Sequence, residues 1–557
     1  MKFKISKNTK NLVTSILIIL IIFSYIYINY NRFVSVTANT IHDSALQVQL
    51  AMSLSHGKWL GSYNEVVLAK GLSFPFLLTI FHFFNLPFIV GISLFNILCT
   101  SLFLLVIIPF FNHKRIATLL ILILLLYNPI TFSYYQVIPY RDSSAYGAMV
   151  LIIGWTLGFV LNYVYNLNKL SLISSILCGC LGFPYWSNLR EDSSWIYPFI
   201  IISFLVVVLY SFKVHKNNLK SMFLALLLPL LVLGLENIFI GWNNYNNYGR
   251  FVVNEYRSKD FKEAIGTMYA VRNNKWVINV PVNTKAREAM YRNVPLFKSL
   301  KPYLDSNIEG NMQGFKQYGV KEPSLGVDYQ GGWFPWAYRG AVYKSGHANN
   351  SRQFKKFNED LANQIVEASK KGKIDGPKHL RRSLVAPFTP KIIKPILAGN
   401  WGDFKTFILM KDYIVEVPVT KEFNKPLQND MAKYLKAKYP LATGNSKKHK
   451  IVYLYKDIYV IGQIIVLLGG IILCIQSVYH QMINGLHKWF KYDWLLLIWL
   501  GLFLSVILRF EMLVYVSVTS FNAILTTYMS SNYALLVLLM VTTFLLIDQK
   551  KVLTNKD

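Results

Sequence analysis

Long stretches with almost no charged side chain decide what this chain can fold into. Leu12–Tyr30, Phe88–Phe110 and Ile116–Tyr135 contain no charge at all. Runs of about 18 to 22 residues are what a helix rising about 1.5 Å per residue needs to cross about 30 Å of hydrocarbon. Ten such spans are expected, near 12–30, 88–110, 116–135, 144–166, 169–185, 195–212, 221–241, 457–478, 492–510 and 529–547. The reading is therefore an α-helical polytopic membrane protein. Composition agrees, since 53% of the 557 residues are hydrophobic. The formal charge of +30 has to be divided between the two sides of a bilayer, so it does not argue for nucleic acid.

With the N-terminus inside, the loops falling in the cytoplasm are Met1–Lys10, Asn112–Arg115, the turn at Lys169, Lys213–Lys220, His487–Lys491 and Lys550–Asp557. Nearly all are basic, as the positive-inside rule requires. The pattern holds only if Leu72–Phe84 does not cross. That run is short and Pro87 separates it from the next, so it reads as a helix at the outer surface, with a re-entrant hairpin as the competing reading. The first segment is expected to stay as an uncleaved helix, because its core exceeds that of a signal peptide and no small-x-small cleavage site follows closely. The expectation is a multi-pass plasma-membrane protein with both termini cytoplasmic.

Three regions follow: a transmembrane domain over 1–241, a soluble extracytoplasmic domain over 242–456, and the last helices over 457–557. The middle region has no long apolar run and reads as mainly helical, with helices expected near Asn254–Val271, Thr284–Arg292, Trp333–Tyr343 and Asn350–Gly372, where Gly372 marks a stop. Its basic excess suits anionic headgroups or an anionic envelope polymer, or simply a basic and soluble exterior. All four cysteines, Cys99, Cys178, Cys180 and Cys474, fall in the expected spans, so the outer domain has no disulfide. No Walker loop, dinucleotide fingerprint, HExxH or GxSxG is present.

Ionisable residues at the membrane edge are costly and mark candidate sites. Three clusters fall on the outer side, in three different loops: His42-Asp43 with Lys58 and Lys70, Tyr140-Arg-Asp-Ser-Ser144, and Asn188-Leu-Arg-Glu-Asp-Ser-Ser194. Their convergence would make one site. Each also has a plainer reading, since Asp43, Asp142 and Asp192 sit where a helix N-terminus favours an acid. Late in the chain Arg509 and Glu511 read as a local ion pair at the membrane edge, in a connection that could cover the site.

The first helix, the early acid in Ile41-His-Asp-Ser-Ala-Leu-Gln47, surface helices ending near Gly57-Lys-Trp-Leu-Gly61, and Lys70-Gly-Leu-Ser-Phe-Pro75 resemble the GT-C superfamily. These are membrane glycosyltransferases using polyprenyl-phosphate sugars, and include protein mannosyltransferases and aminoarabinose transferases. The likeness covers about the first 240 residues; beyond them only the layout matches. Two features depart from it: His42-Asp43-Ser44 stands where several members have paired acids, and the soluble domain precedes the last three spans instead of ending the chain.

The resemblance implies transfer of a sugar from a polyprenyl-phosphate donor to an envelope glycan, lipid or protein on the outer face. It maps the catalytic acid onto Asp43. General-base and electrostatic requirements then suggest Arg141, Arg190 and Lys70 for the phosphate, with His42, Asp142, Glu191 and Asp192 around the substrate. Glu191 and Asp192 could alternatively hold a divalent cation, though no cofactor is required and no metal ligands are assigned. Two other functions compete: a transporter or flippase of a lipid-linked or anionic solute, for which Glu236 is the main mid-span acid, and an envelope assembly scaffold.

Overall fold

The computed structural model describes residues 6–30, 32–37, 40–214, 219–272, 277–306, 310–318, 321–322, 326–415, 425–437, 446–484 and 494–554. The loop His487–Lys491, and parts of Met1–Lys10, Lys213–Lys220 and Lys550–Asp557, lie outside them. Helices account for almost all the regular structure. In the first part they are α1 (Lys7–Tyr30), α2 (Ser44–Ser55), α3 (Ser73–Phe83), α4 (Phe88–Ile107), α5 (Lys114–Leu126), α6 (Asp142–Val160), α7 (Lys169–Ser187), α8 (Tyr197–Val214) and α9 (Leu219–Tyr248). The region between α9 and the last helices adds α10 (Lys259–Tyr269), α11 (Thr284–Asn293), α12 (Pro295–Lys298), α13 (Lys301–Asp305), α14 (Phe334–Lys344), α15 (Ser351–Lys370), α16 (Ile393–Ile408) and α17 (Lys425–Leu435). The chain closes with α18 (Ser446–Asn484), α19 (Trp494–Thr519) and α20 (Ser530–Thr554). A two-residue antiparallel ladder pairs Lys321 with Val327 and Glu322 with Gly326.

Among the described residues nine helices are long and apolar enough to cross a bilayer, as in a polytopic membrane protein. The run 116–135, expected as a tenth, differs. Its helix α5 has 13 residues, and Asn128-Pro129 turns the chain into two short 3-10 segments, with the Asn128 side chain accepting from the Ile130 amide at 2.9 Å. Even so, this segment runs the length of α1. Arg115 donates to Asn11 Oδ1 at 2.7 Å at one end, and Arg32 donates to the Ser133 carbonyl at 2.7 Å at the other. Irregular backbone at such depth is stable only where protein groups satisfy its carbonyls. Here Tyr413 donates to Pro129 O at 3.0 Å and Tyr459 to Leu124 O at 3.1 Å.

Helix α6 is the hub, with every residue of it buried. It is apolar on all sides because it has no outward face. Its glycines permit close approach: a Cβ on Gly158 would lie 2.6 Å from the Ser175 Cβ of α7, and one on Gly182 of α7 would lie 2.6 Å from the Leu151 Cβ of α6. Asp548 of α20 accepts from the Asn112 amide at 2.6 Å, so the start of α1, the 112–115 turn and the end of α20 meet at one end of the bundle. The loops after α1, α5 and α7 meet at the other. Run 72–84 forms α3, packed beside α2 and followed by a break before α4.

Outside the bundle, α10, α11, α14 and α15 enclose a core of their own that includes Phe261, Ile265, Met290, Phe334, Tyr338, Leu361 and Ile365. Sequence signals place α15 closely: Asn350 caps it by accepting from the Gln353 amide at 2.9 Å, and Gly372 stops it at φ +69°. Not every part of the stretch 242–456 contributes to this core. Residues beyond about 390 pack into the membrane bundle's core, through Phe407, Met410 and Tyr413 and through Met431 and Tyr434.

Candidate functional site

Asp43 occupies the N-cap position of α2, yet its side chain does not cap. Thr40 does that work: its hydroxyl and its carbonyl accept from the Ala45 amide at 3.1 and 3.2 Å. Asp43 is thereby released to face across the loop. Its Oδ1 accepts from the Lys70 ammonium at 3.1 Å and from the Tyr140 hydroxyl at 3.2 Å. Oδ2 has no hydrogen bond among the described residues, and the Asp43 side chain is 44% exposed while that of Lys70 is 7% exposed. Lys70 also lies 5.2 Å over the Trp336 ring.

The Lys70 loop is held by backbone contacts. A Cβ at Gly71 would stand 1.9 Å from the Asn188 carbonyl oxygen, so only glycine permits this approach of the first loop to the third. Leu68 adopts φ +64°, a left-handed conformation that is costly for a branched side chain. Its carbonyl accepts from the Glu255 amide at 2.9 Å, which ties the strained turn to the outer region.

The second and third loops join by charge. Arg141 donates to both carboxylate oxygens of Glu191 at 2.8 Å. Arg190 pairs with Asp142, the first residue of α6, and donates to Asp192 at 2.9 Å. Arg509 of α19 donates to the other oxygen of Asp192 at 2.7 Å. Four cations thus meet four acids, with Arg190 stacked 5.4 Å from the Tyr528 ring and Arg509 5.3 Å from Trp195. Such desolvated pairs are held by geometry, and removing one partner leaves a buried charge uncompensated. Unused capacity remains at Arg141 Nε, Asp142 Oδ2 and Arg509 Nε, and at both polar atoms of Gln47, one turn beyond Asp43.

Burial pushes the Asp43 carboxyl up, but the Lys70 charge and hydrogen bond, Arg141 and the Tyr140 hydroxyl outweigh it, so it stays below the usual carboxylate value. Burial and the nearby Arg141 draw the Lys70 ammonium down more than Asp43 restores it. Against burial, Arg141 holds Glu191 low, and Arg190 with Arg509 holds Asp192 far below its ordinary range. Asp43, Glu191 and Asp192 are therefore ionised at neutral pH.

Of the sequence-derived candidates, Asp43, Lys70, Arg141, Asp142, Arg190, Glu191 and Asp192 lie in these linked pairs. His42 does not. Its ring packs against Trp336, Phe315 and Trp333 at 4.8, 5.0 and 6.4 Å, and burial lowers its pKa to about 4. Lys58 lines a separate groove of about 490 Å³ with His56, Gln49 and Asn64. Asp142 and Asp192, like Asp43, make no side-chain cap hydrogen bond: Asp142 does sit in the first turn of α6, where the helix N-terminus favours an acid, and both carboxylates bond guanidinium groups. The local Arg509–Glu511 pair is also replaced, since Arg509 turns to Asp192 and Glu511 accepts from Asn400 at 3.0 Å. Arg509 was legible as a charge inside an apolar helix. Trp336 and Tyr528 carried no local signal.

Metal binding does not fit the acids present. Glu191 and Asp192 are each neutralised by guanidinium groups, and among the described residues no group of three or more His, Cys, Asp or Glu is placed to hold an ion. Comparison with family models, curated proteins and solved structures gives no match for this chain.

Proposed function

We propose that this protein is a glycosyltransferase that moves a sugar from a polyprenyl-phosphate donor to an envelope acceptor at the outer face of the plasma membrane. The observation that carries the reading is the half-exposed Asp43 carboxylate, with one oxygen pinned by Lys70 and Tyr140 and the other open, beside a chain of desolvated arginines. Asp43 Oδ2 takes the proton of the acceptor hydroxyl as that oxygen forms its bond to the anomeric carbon. The bond from that carbon to the phosphate oxygen breaks, and polyprenyl phosphate leaves with the electron pair. One direct displacement inverts the anomeric centre.

Lys70, bonded to Asp43, stands nearest to stabilise the departing phosphate, and Arg141 adds positive charge close behind it. A site at the end of the bundle suits a donor whose sugar is polar and whose tail stays in lipid. Both termini then lie in the cytoplasm and the outer core lies outside.

The test incubates the purified full chain with polyprenyl-phosphate sugars and envelope acceptors. Asp43→Asn is expected to lower transfer at least about 100-fold, the usual scale for a general base. Glu359→Gln, half-exposed on α15 and far along the chain from these loops, leaves transfer unchanged. Equal transfer by wild type and Asp43→Asn overturns the assignment of the base, and solute flux in liposomes with no sugar transfer favours a carrier.

A further inference from the structure

Helix α16 lies in the region expected to be soluble, but it is not built like a surface helix of a soluble module. At 100° per residue, Ile393, Leu397, Trp401, Phe404 and Ile408 fall within about 80° of one another. Leu397 and Trp401 are 68% and 65% exposed, and Phe388 just before the helix is 64% exposed. Lys394 and Lys405 fall about 20° and 40° beyond Trp401 on the same wheel, both exposed at the rim of the apolar stripe. Lys405 sits 4.8 Å from the Trp401 ring, and Trp401 stacks with Phe404 at 6.0 Å. Lys391 and Lys411 add further exposed cations at either end.

The flank beside Ile393, on the side away from the lysines, shows where this stripe sits. Phe407 stacks on Phe510 of α19 at 5.7 Å, and Asn400 donates to Glu511 at 3.0 Å. Helix α19 has 26 residues, about 39 Å at 1.5 Å per residue, which is about 9 Å more than the hydrocarbon layer. Below Arg509 its outward side chains, Leu504 and Leu508, are exposed and apolar, as lipid-facing residues are. The charged pair of positions 509 and 511 marks the upper edge of that surface, and α16 rests at this edge. Glu511, which Asn400 of α16 bonds, falls on the same side of α19 as the exposed Leu504 and Leu508, so the apolar stripe of α16 lies beside that surface.

We infer that α16 lies in the plane of the membrane, its Ile393–Leu397–Trp401–Phe404 stripe in the acyl boundary and its lysines on anionic lipid headgroups of the outer leaflet. An apolar stripe with lysines along its rim is the arrangement by which amphipathic helices bind anionic bilayers. The segment that follows the second core is thereby held to the membrane beside α19, at Glu511, two residues along that helix from Arg509. This inference stands whether or not the protein transfers sugars.

The test uses the full chain with Cys180→Ser, carrying an environment-sensitive fluorophore on Leu397→Cys, in vesicles of phosphatidylcholine with phosphatidylglycerol. Nitroxide groups high on the acyl chain are expected to quench it, while aqueous iodide quenches it far less than the same label on Glu359→Cys. Nitroxide-labelled phosphatidylglycerol is expected to quench at least about twofold more than labelled phosphatidylcholine, since each lysine near an anionic surface attracts it measurably. Lys394→Gln with Lys405→Gln should abolish that preference and leave acyl-chain quenching in place. Iodide quenching equal to the Glu359 site, or shielding from both quenchers, overturns the inference. Equal quenching by the two labelled lipids overturns its headgroup half.

Discussion

At the residue scale, the arrangement turns on which side chain caps α2. Because Thr40 satisfies the first amides, Asp43 keeps its carboxylate for Lys70 and Tyr140. The ionised carboxylate is the form that accepts a proton, so activity is expected to persist at pH values below the ordinary aspartate range and fail only under acid. Lys70→Met removes the largest influence holding that carboxyl down and leaves burial to push it up. A pH profile of transfer should then show the acid limb displaced upward. A limb unchanged by Lys70→Met would show that the pair does not set the base. His42 adds a dependence of stability that also weakens on acidification. Burial lowers its pKa from 6.5 to about 4, so the folded ring stays neutral where the unfolded one is protonated. Stability tied to it is complete above about pH 6.5 and falls as pH drops toward 4. At about 1.4 kcal/mol per pH unit this would reach about 3 kcal/mol, and partial solvent contact reduces it to about 2 kcal/mol. Thermal melts of His42→Phe across that range should lose this slope.

At the element scale, loops are joined by backbone approach as much as by charge. Gly71→Ala is expected to destabilise the protein by about 2–3 kcal/mol, because neither its Cβ nor the Asn188 carbonyl can retreat cheaply. Gly234→Ala on α9, where a Cβ meets nothing within 4 Å, should melt at or slightly above the wild-type temperature. Equal melting of the two variants would contradict the close contact of the loops. Elements with complete local signals were legible: α15 has its cap, its apolar spacing and its glycine stop in one stretch of sequence. Segment 116–135 was not, since apolarity and length look the same whether a crossing is one helix or a short helix continued by turns. What decides is Asn128-Pro129 and the distant donors Tyr413 and Tyr459. Helix α16 hid for a related reason, its apolar stripe being broken in sequence by lysines that fall at its rim. Within the site, sequence named the charged residues but paired Arg509 with its neighbour, because the partner, Asp192, is 317 positions away.

At the scale of the whole molecule, the outer core is part of the site's framework. Arg339 of α14 pairs with Glu255 at 2.7 Å, both side chains almost fully buried, and it also donates to the Glu65 and Val67 carbonyls at 2.8 and 3.0 Å. Glu255 accepts from Tyr63 at 3.1 Å and from Ser351 at 2.6 Å. One buried pair therefore clamps the loop that leads to Lys70, with Trp336 of the same helix lying against both Lys70 and His42. Arg339→Met leaves the buried Glu255 carboxyl without its ion-pair partner, and is expected to cost about 3–5 kcal/mol. Arg339→Met with Glu255→Leu removes both charges, and should recover part of that loss in melts while leaving the Glu65 and Val67 carbonyls without their donor. The decisive readout is transfer by the double variant at a temperature where it is folded. If the clamp positions the site, the rate stays low after stability returns; if the pair serves stability alone, stability and rate recover together.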